Sequence, residues 1–275
     1  MAQPARILRL VPSGPERVAL ESGQLDAVLD PASGKALLLP DARRALSAVG
    51  AAIANGLLAA LPREDYRSLA GELEPVTLTV GEVLHEPGQR IRHVYFPNDS
   101  HVTLLIMMAD RKCLEVGVVG REGMVGIGLA LKAETSAVRV LVQGSGTALR
   151  MKAASFREAL GRSLSLQHEL LRYAYAKLVQ ARQSAACNRF HEVVARLACS
   201  LLRTRDRIGS DDFHLTHEEL AVTLGTRRVG VTNAATTLQR RELISYRRGE
   251  IQILDGKGLA AASCDCYDIV RKLVA

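Results

Sequence analysis

The chain reads as an α+β protein in three successive parts. These are an N-terminal β-roll or jelly-roll, a long helix suited to dimerisation, and a C-terminal winged helix-turn-helix. Three observations predict this order. Short β-branched runs broken by turns fill residues 75–150. From Leu164 apolar residues recur at three-, four- and seven-residue spacings. Leu215 to Leu254 then carries two short helical patterns around Gly225, followed by an arginine-rich hairpin pattern.

A length of 275 residues suggests about two domains, and 48% hydrophobic residues supply a sizeable core. The net charge of +7 permits a polyanionic partner without proving one. Five scattered cysteines, Cys113, Cys187, Cys199, Cys264 and Cys266, argue against a secreted disulfide framework. No secretory signal is evident at the start. Ala45 to Leu61 is interrupted by Ser47 and Asn55 and reads as a soluble helix rather than a membrane span. A cytoplasmic protein without a membrane partner is expected.

Residues 1–50 form an extension of unknown role. Within it, two apolar runs between Leu25 and Leu39 flank the turn-forming Asp30-Pro31-Ala32-Ser33-Gly34. A hairpin and a loosely ordered segment are both compatible with that pattern. Asp41 is the expected N-cap of a following helix. Residues 51–160 are assigned to the β-roll. Turns fall at Glu86-Pro87-Gly88-Gln89 and Pro97-Asn98-Asp99-Ser100. No G-x-G-x-x-G lies between a strand and a helix, so dinucleotide binding is not indicated.

Residues 161–187 are read as the dimerisation helix, with Leu164, Leu171, Tyr175 and Leu178 on one seam and Leu166, Leu170 and Tyr173 widening it. Residues 188–275 are read as the DNA-binding domain. It opens with a helix from Phe190 to Arg203 that carries Val193, Val194, Leu197 and Leu201. Thr216 and Glu219 form a T-x-x-E capping box. Leu220, Ala221 and Leu224 face a second helix through Val231, Ala234, Ala235 and Leu238, and Gly225 supplies the left-handed turn. From Arg227 to Arg248 there are six arginines and one acid, Glu242. That balance suits a helix-turn-helix on DNA.

The order β-roll, long helix, winged helix-turn-helix resembles the Crp/Fnr family of transcription regulators over about residues 55–260. Its most specific parts are Glu115 to Gly126, EVGVVGREGMVG, and Leu215 to Leu254. The resemblance implies a sensor domain of the cyclic-nucleotide-binding type and a dimer on a pseudo-palindromic double-stranded operator. It also implies RNA polymerase and an unidentified small-molecule effector as partners. The recognition helix would begin near Thr226. Arg228 falls on the family's base-reading arginine, with Arg227 beside it. Val229 and Asn233 replace two further base-reading residues, so a different operator is expected. Asn233 could pair with adenine, and Val229 either touches a thymine methyl or faces the core. Thr226, Arg240, Arg241, Arg247 and Arg248 are expected on phosphates, with residues 246–250 as the wing tip.

The resemblance also implies a pocket around Arg121, Gly123, Gly126, Thr135 and Ser136, but in degenerate form. Ile127 stands where cyclic-AMP-binding members carry a ribose-binding glutamate, and Thr135 where they carry the phosphate-binding arginine. Ser136 is retained, and Arg139 is a further nearby base. A buried phosphate without a guanidinium is poorly compensated, so the signal is expected to be something other than cyclic AMP. The N-terminal cysteine cluster of iron–sulfur members is missing. Cys264-Asp265-Cys266 alone lacks ligands for zinc, and whether these thiols are redox-active is left open. His85, His93 and His101 are read as polar surface residues. No metal, cofactor or catalytic constellation is expected, so the chain is not read as an enzyme. The alternative is a small-molecule or redox sensor with weak or no DNA binding.

Overall fold

The structure, a computed structural model, describes residues 7–9, 27–29, 36–38, 53–109 and 113–274. The chain divides into two compact units, Met1–Ile53 and Ala54–Ala275. In the first, β1 (Ile7–Arg9) pairs parallel with β2 (Ala27–Leu29), which pairs antiparallel with β3 (Ala36–Leu38). The hairpin reading of Leu25 to Leu39 is thus met in its strands, with Ala27 opposite Leu38. Its turn and the helix expected from Asp41 lie outside the described residues.

The second unit starts with two short helices, α1 (Gly56–Ala59) and α2 (Arg63–Ala70). Seven strands follow: β4 (Glu74–Leu78), β5 (Val83–His85), β6 (His93–Pro97), β7 (His101–Met107), β8 (Cys113–Val119), β9 (Arg139–Gly144) and β10 (Gly146–Lys152). They form two sheets, ordered β4-β10-β6 and β5-β9-β7-β8. Each pairing is antiparallel, which is the roll that the turn-punctuated runs predict. Leu78, Tyr95, Val102, Val119, Val125, Val140, Val142 and Ala148 fill the space between the sheets. Strand alternation turns His85 inward with them, so it is buried rather than a surface residue as expected. Its Nε2 lies 2.9 Å from the His93 carbonyl oxygen.

Helix α3 (Ala153–Arg162) leads to α4 (Leu164–Phe190), 27 residues long and capped by Ser163. The expected seam splits into two faces. Leu166 and Leu170 are buried, and the Tyr173 hydroxyl donates to the Met124 carbonyl oxygen at 3.3 Å. Leu164, Leu171, Tyr175 and Leu178 are 69, 55, 62 and 47% exposed. Tyr173 needs Gly123, because a Cβ there would stand 2.2 Å from its ring.

The last part contains α5 (Val193–Ile208), β11 (Asp212–His214), α6 (His217–Leu224), α7 (Arg228–Arg240), β12 (Ile244–Arg247), β13 (Glu250–Ile253), α8 (Gly256–Ala262) and α9 (Cys266–Val274). Among the described residues no helix is long and apolar enough to cross a membrane. Asn55, read from the sequence as an interruption, begins a helix instead. Its side chain accepts from Leu58 N and donates to the carbonyls of Pro97 and Gly123, both at 2.8 Å.

Asn55→Ala removes an N-cap and leaves two buried carbonyls without that donor. Denaturant titration should show a loss of about 2–3 kcal/mol, with the urea midpoint lowered and the slope unchanged.

Candidate nucleic-acid interface

The helix-turn-helix is built from small residues where its helices cross. Leu220, Ala221 and Leu224 of α6 and Val231, Ala234, Ala235 and Leu238 of α7 are all buried, together with Leu197, Leu201 and Leu202 of α5. The capping box forms: Glu219 N donates to Thr216 Oγ1 at 3.2 Å, and Thr216 N donates to Glu219 Oε2 at 2.7 Å. Gly225 adopts φ +56° and ends α6 as the sequence predicts. Arg196, buried on α5, donates to the Leu224 carbonyl and to Asn188 Oδ1, fixing the C-terminal end of α6.

Helix α7 starts at Arg228, with Arg227 as its N-cap, so Thr226 sits just outside it in the turn. Burying one face of α7 leaves Arg228, Val229, Thr232, Asn233 and Thr236 exposed on the other, with no acid between them. Val229 is 62% exposed, which settles its open orientation in favour of the outer surface. All six arginines, Arg227, Arg228, Arg240, Arg241, Arg247 and Arg248, are exposed. At the wing, Arg247 pairs with Glu250 across the two-residue turn Arg248-Gly249. Those two residues have φ of +54° and +93°, the mirror-image turn that suits a tight hairpin. Glu250 turns away to His214, 2.8 Å from its Nδ1, and leaves the wing arginines to solvent.

The helix-turn-helix is seated on the roll. Glu115 Oε2 on β8 accepts from Thr103 Oγ1 on β7 at 2.9 Å and from Thr223 Oγ1 on α6 at 3.2 Å. A Cβ at Gly225 would come within 2.8 Å of Leu114. A cavity of about 400 Å³ lies beside this contact, with Glu115, Gln180, Arg203, Arg207 and Thr223 in its wall.

Several of the predicted ligand residues are engaged within the roll. Thr135 is exposed, and Ser136, though buried, spends its hydroxyl on the Val138 carbonyl at 2.7 Å. Arg139 is tied to Glu86 at 2.9 Å. Gly123 is packed under Tyr173, and Gly126 takes φ +90° against Val94 and His85. Arg121 lines a second, basic cavity of about 1040 Å³ with Arg172, Lys177, Arg205 and Arg207, and none of Gly123, Gly126, Thr135 and Ser136 reaches either cavity. On the wall of that cavity Lys177 meets Glu122 at 3.3 Å. Burial works to raise the Glu122 carboxyl, but the Lys177 and Arg207 charges outweigh it and hold the pKa below the ordinary range.

Sequence reasoning missed β11, α8 and α9. Phe213 between polar neighbours signals the short strand. Asp255, which accepts from Lys257 N and Gly258 N, signals the start of α8.

A winged helix-turn-helix on a β-roll with a long intervening helix defines the class. Residues 195–262 match the model of the Crp-like helix-turn-helix domain. No curated protein matches the chain. Among solved structures, FixK2 from Bradyrhizobium japonicum is 13% identical, with a TM-score of 0.62 over 70% of this chain and 98% of that one. The c-di-GMP-responsive global regulator CLP from Xanthomonas campestris is 16% identical, with a TM-score of 0.60 over 70% of this chain and 99% of that one. A CRP/FNR family transcriptional regulator from Thermus thermophilus is 21% identical, with a TM-score of 0.57 over 69% and 98%. At these identities the likeness is one of fold. The chain carries a Crp-like helix-turn-helix domain within the fold of Crp/Fnr regulators, and the resemblance read from its motifs is borne out.

His217 stands between wing and recognition helix. Its ring stacks on Tyr246 with centroids 4.6 Å apart, and its Nδ1 lies 3.1 Å from Thr232 Oγ1. Burial, then the Arg228 charge, lowers its pKa. Its contribution to stability is therefore complete above the unfolded histidine value of about 6.5, and it is lost as pH falls below that value toward the folded pKa. Thermal midpoints should drop between pH 7 and pH 5, and the drop should be shallower in His217→Gln.

Proposed function

We propose that this protein is a dimeric, sequence-specific DNA-binding transcription regulator whose signal is other than cyclic AMP. The observation that carries the reading is the exposed face of α7. Its inner residues are consumed by the domain core, and its outer face presents Arg228, Val229 and Asn233 without a single acid. Arg228 and Arg227, at the N-terminal end of the helix, reach base edges. Arg228 grips guanine O6 and N7, Asn233 takes adenine, and Val229 packs on a thymine methyl. Thr226, Arg240, Arg241 and the wing arginines Arg247 and Arg248 hold phosphates and set the register.

Dimerisation through α4 follows from its outer face. Leu164, Leu171, Tyr175 and Leu178 repeat at coiled-coil spacing and stand exposed on a helix whose other face is already docked. Two copies paired along this seam would present two recognition helices to a pseudo-palindromic operator. The signal reading is supported by the sensor domain. Thr135 brings no charge to the phosphate position, Ser136 is internally satisfied, and Arg139 is neutralised by Glu86. RNA polymerase as partner rests on the class of fold.

Selection of bound DNA from a random pool should return a two-fold symmetric site, and recovery of no preferred sequence by folded dimeric protein would sink the reading. On that site Arg228→Ala should cost about 1–3 kcal/mol and relax one position in each half-site. Arg247→Ala should weaken all sequences alike and lower the salt slope by about one per half-site, read by gel shift at several salt concentrations. Leu171→Glu with Leu178→Glu should give a folded monomer by light scattering and abolish tight operator binding.

A further inference from the structure

We infer that Cys187, His191, Cys264 and Cys266 form a binding site for a single zinc-type ion that clamps the C-terminal helix to the end of the long helix. The Cys-x-Cys pair looked short of ligands in the sequence because its partners lie more than seventy residues upstream. The fold supplies them. Cys187 sits in the last turn of α4, and His191 is the residue that caps that helix. Cys264 precedes α9 and Cys266 begins it. The four ligating atoms all lie within 4.8 Å of one another.

Two of the six edges already have the spacing of a coordination shell. Cys187 Sγ and Cys264 Sγ are 3.6 Å apart, and Cys266 Sγ is 3.4 Å from His191 Nδ1. With Zn–S of about 2.3 Å and Zn–N of about 2.0–2.1 Å, a tetrahedron has edges of roughly 3.5–3.8 Å. A disulfide would need about 2.05 Å, and all five cysteines are free thiols. Three thiolates and an imidazole select zinc over magnesium or calcium, which take oxygen donors. The short span suits one ion, whereas a multi-iron cluster requires its thiolates spread around several metal atoms.

The surroundings are arranged as a metal site requires. His191 points Nδ1 at Cys266, and Asp265 Oδ1 lies 3.6 Å from its Nε2, close enough to orient the ring through a carboxylate–histidine contact once a metal is bound. Gln183 Nε2 donates to Cys266 Sγ at 3.1 Å, which suits a thiolate. The three cysteines are buried, while the His191 side chain is 34% exposed and Asp265 74%, so an ion can enter from that side. The clamp acts at the junction of α4 and α5, from which the helix-turn-helix hangs. It does not depend on the DNA-binding reading.

The test uses full-length protein purified with reductant and without chelator, assayed by elemental mass spectrometry. About one zinc per chain is expected, and apo protein titrated with Co2+ should give the visible bands of a tetrahedral thiolate site. Cys264→Ser and Cys266→Ser should each lower zinc content about tenfold, while Cys113→Ser, on β8, should retain it. Where a cysteine variant fails to fold, Asp265→Ala decides. It should bind zinc about 10–100-fold more weakly by chelator competition, and an unchanged affinity would overturn the assignment. Folded wild-type protein with under a tenth of a zinc per chain and no Co2+ spectrum would overturn it as well, as would several irons per chain or full zinc in both cysteine variants.

Discussion

The division of labour between the two faces of α4 is the constraint on which the rest depends. The inner face is committed to the roll by three kinds of contact. Leu166 and Leu170 are buried, Tyr173 lies over Gly123, and Lys177 bonds both the Val118 carbonyl at 3.0 Å and Glu122 at 3.3 Å. An ammonium and a carboxylate with side chains only 20 and 19% exposed are costly to separate, because either one left alone would be a largely buried charge. That coupling fixes the rotation of the helix about its own axis. Once rotation is fixed, the apolar seam can face only outward. The same residues that hold the roll thus determine which face of the helix is left exposed.

The end of α4 is constrained as tightly as its middle. Asn188 accepts from Arg196, and Arg196 reaches on to the Leu224 carbonyl, so the last turn of the long helix is wired to the turn of the helix-turn-helix. Cys187 and Cys266 line the same cavity as Asn188 and Arg196 at this junction.

Much of this was legible in the sequence for identifiable reasons. The helix-turn-helix was readable because each rule agreed there: a capping box at Thr216 and Glu219, a glycine at 225, and apolar residues at helical spacing that are all buried. The strands of the roll were readable from their turns. The two-faced character of α4 was not, since one-dimensional spacing placed Leu164, Leu166, Leu170 and Leu171 on a single broad stripe. The packing of Leu166, Leu170 and Tyr173 against the rest of the chain separates them. Asn55 misled because a polar residue among alanines looks like a flaw in a helix until its three buried partners are known. The ligand cluster was invisible because half of it comes from a helix end and half from a segment 77 residues away at the Cys187–Cys264 contact.

Glu115 gives one of these contacts a wider meaning. A single carboxylate oxygen on β8 receives hydroxyls from Thr103 within the roll and from Thr223 within the helix-turn-helix. Its lone pairs are a shared resource. The roll and the helix-turn-helix are in this way tied together at one atom.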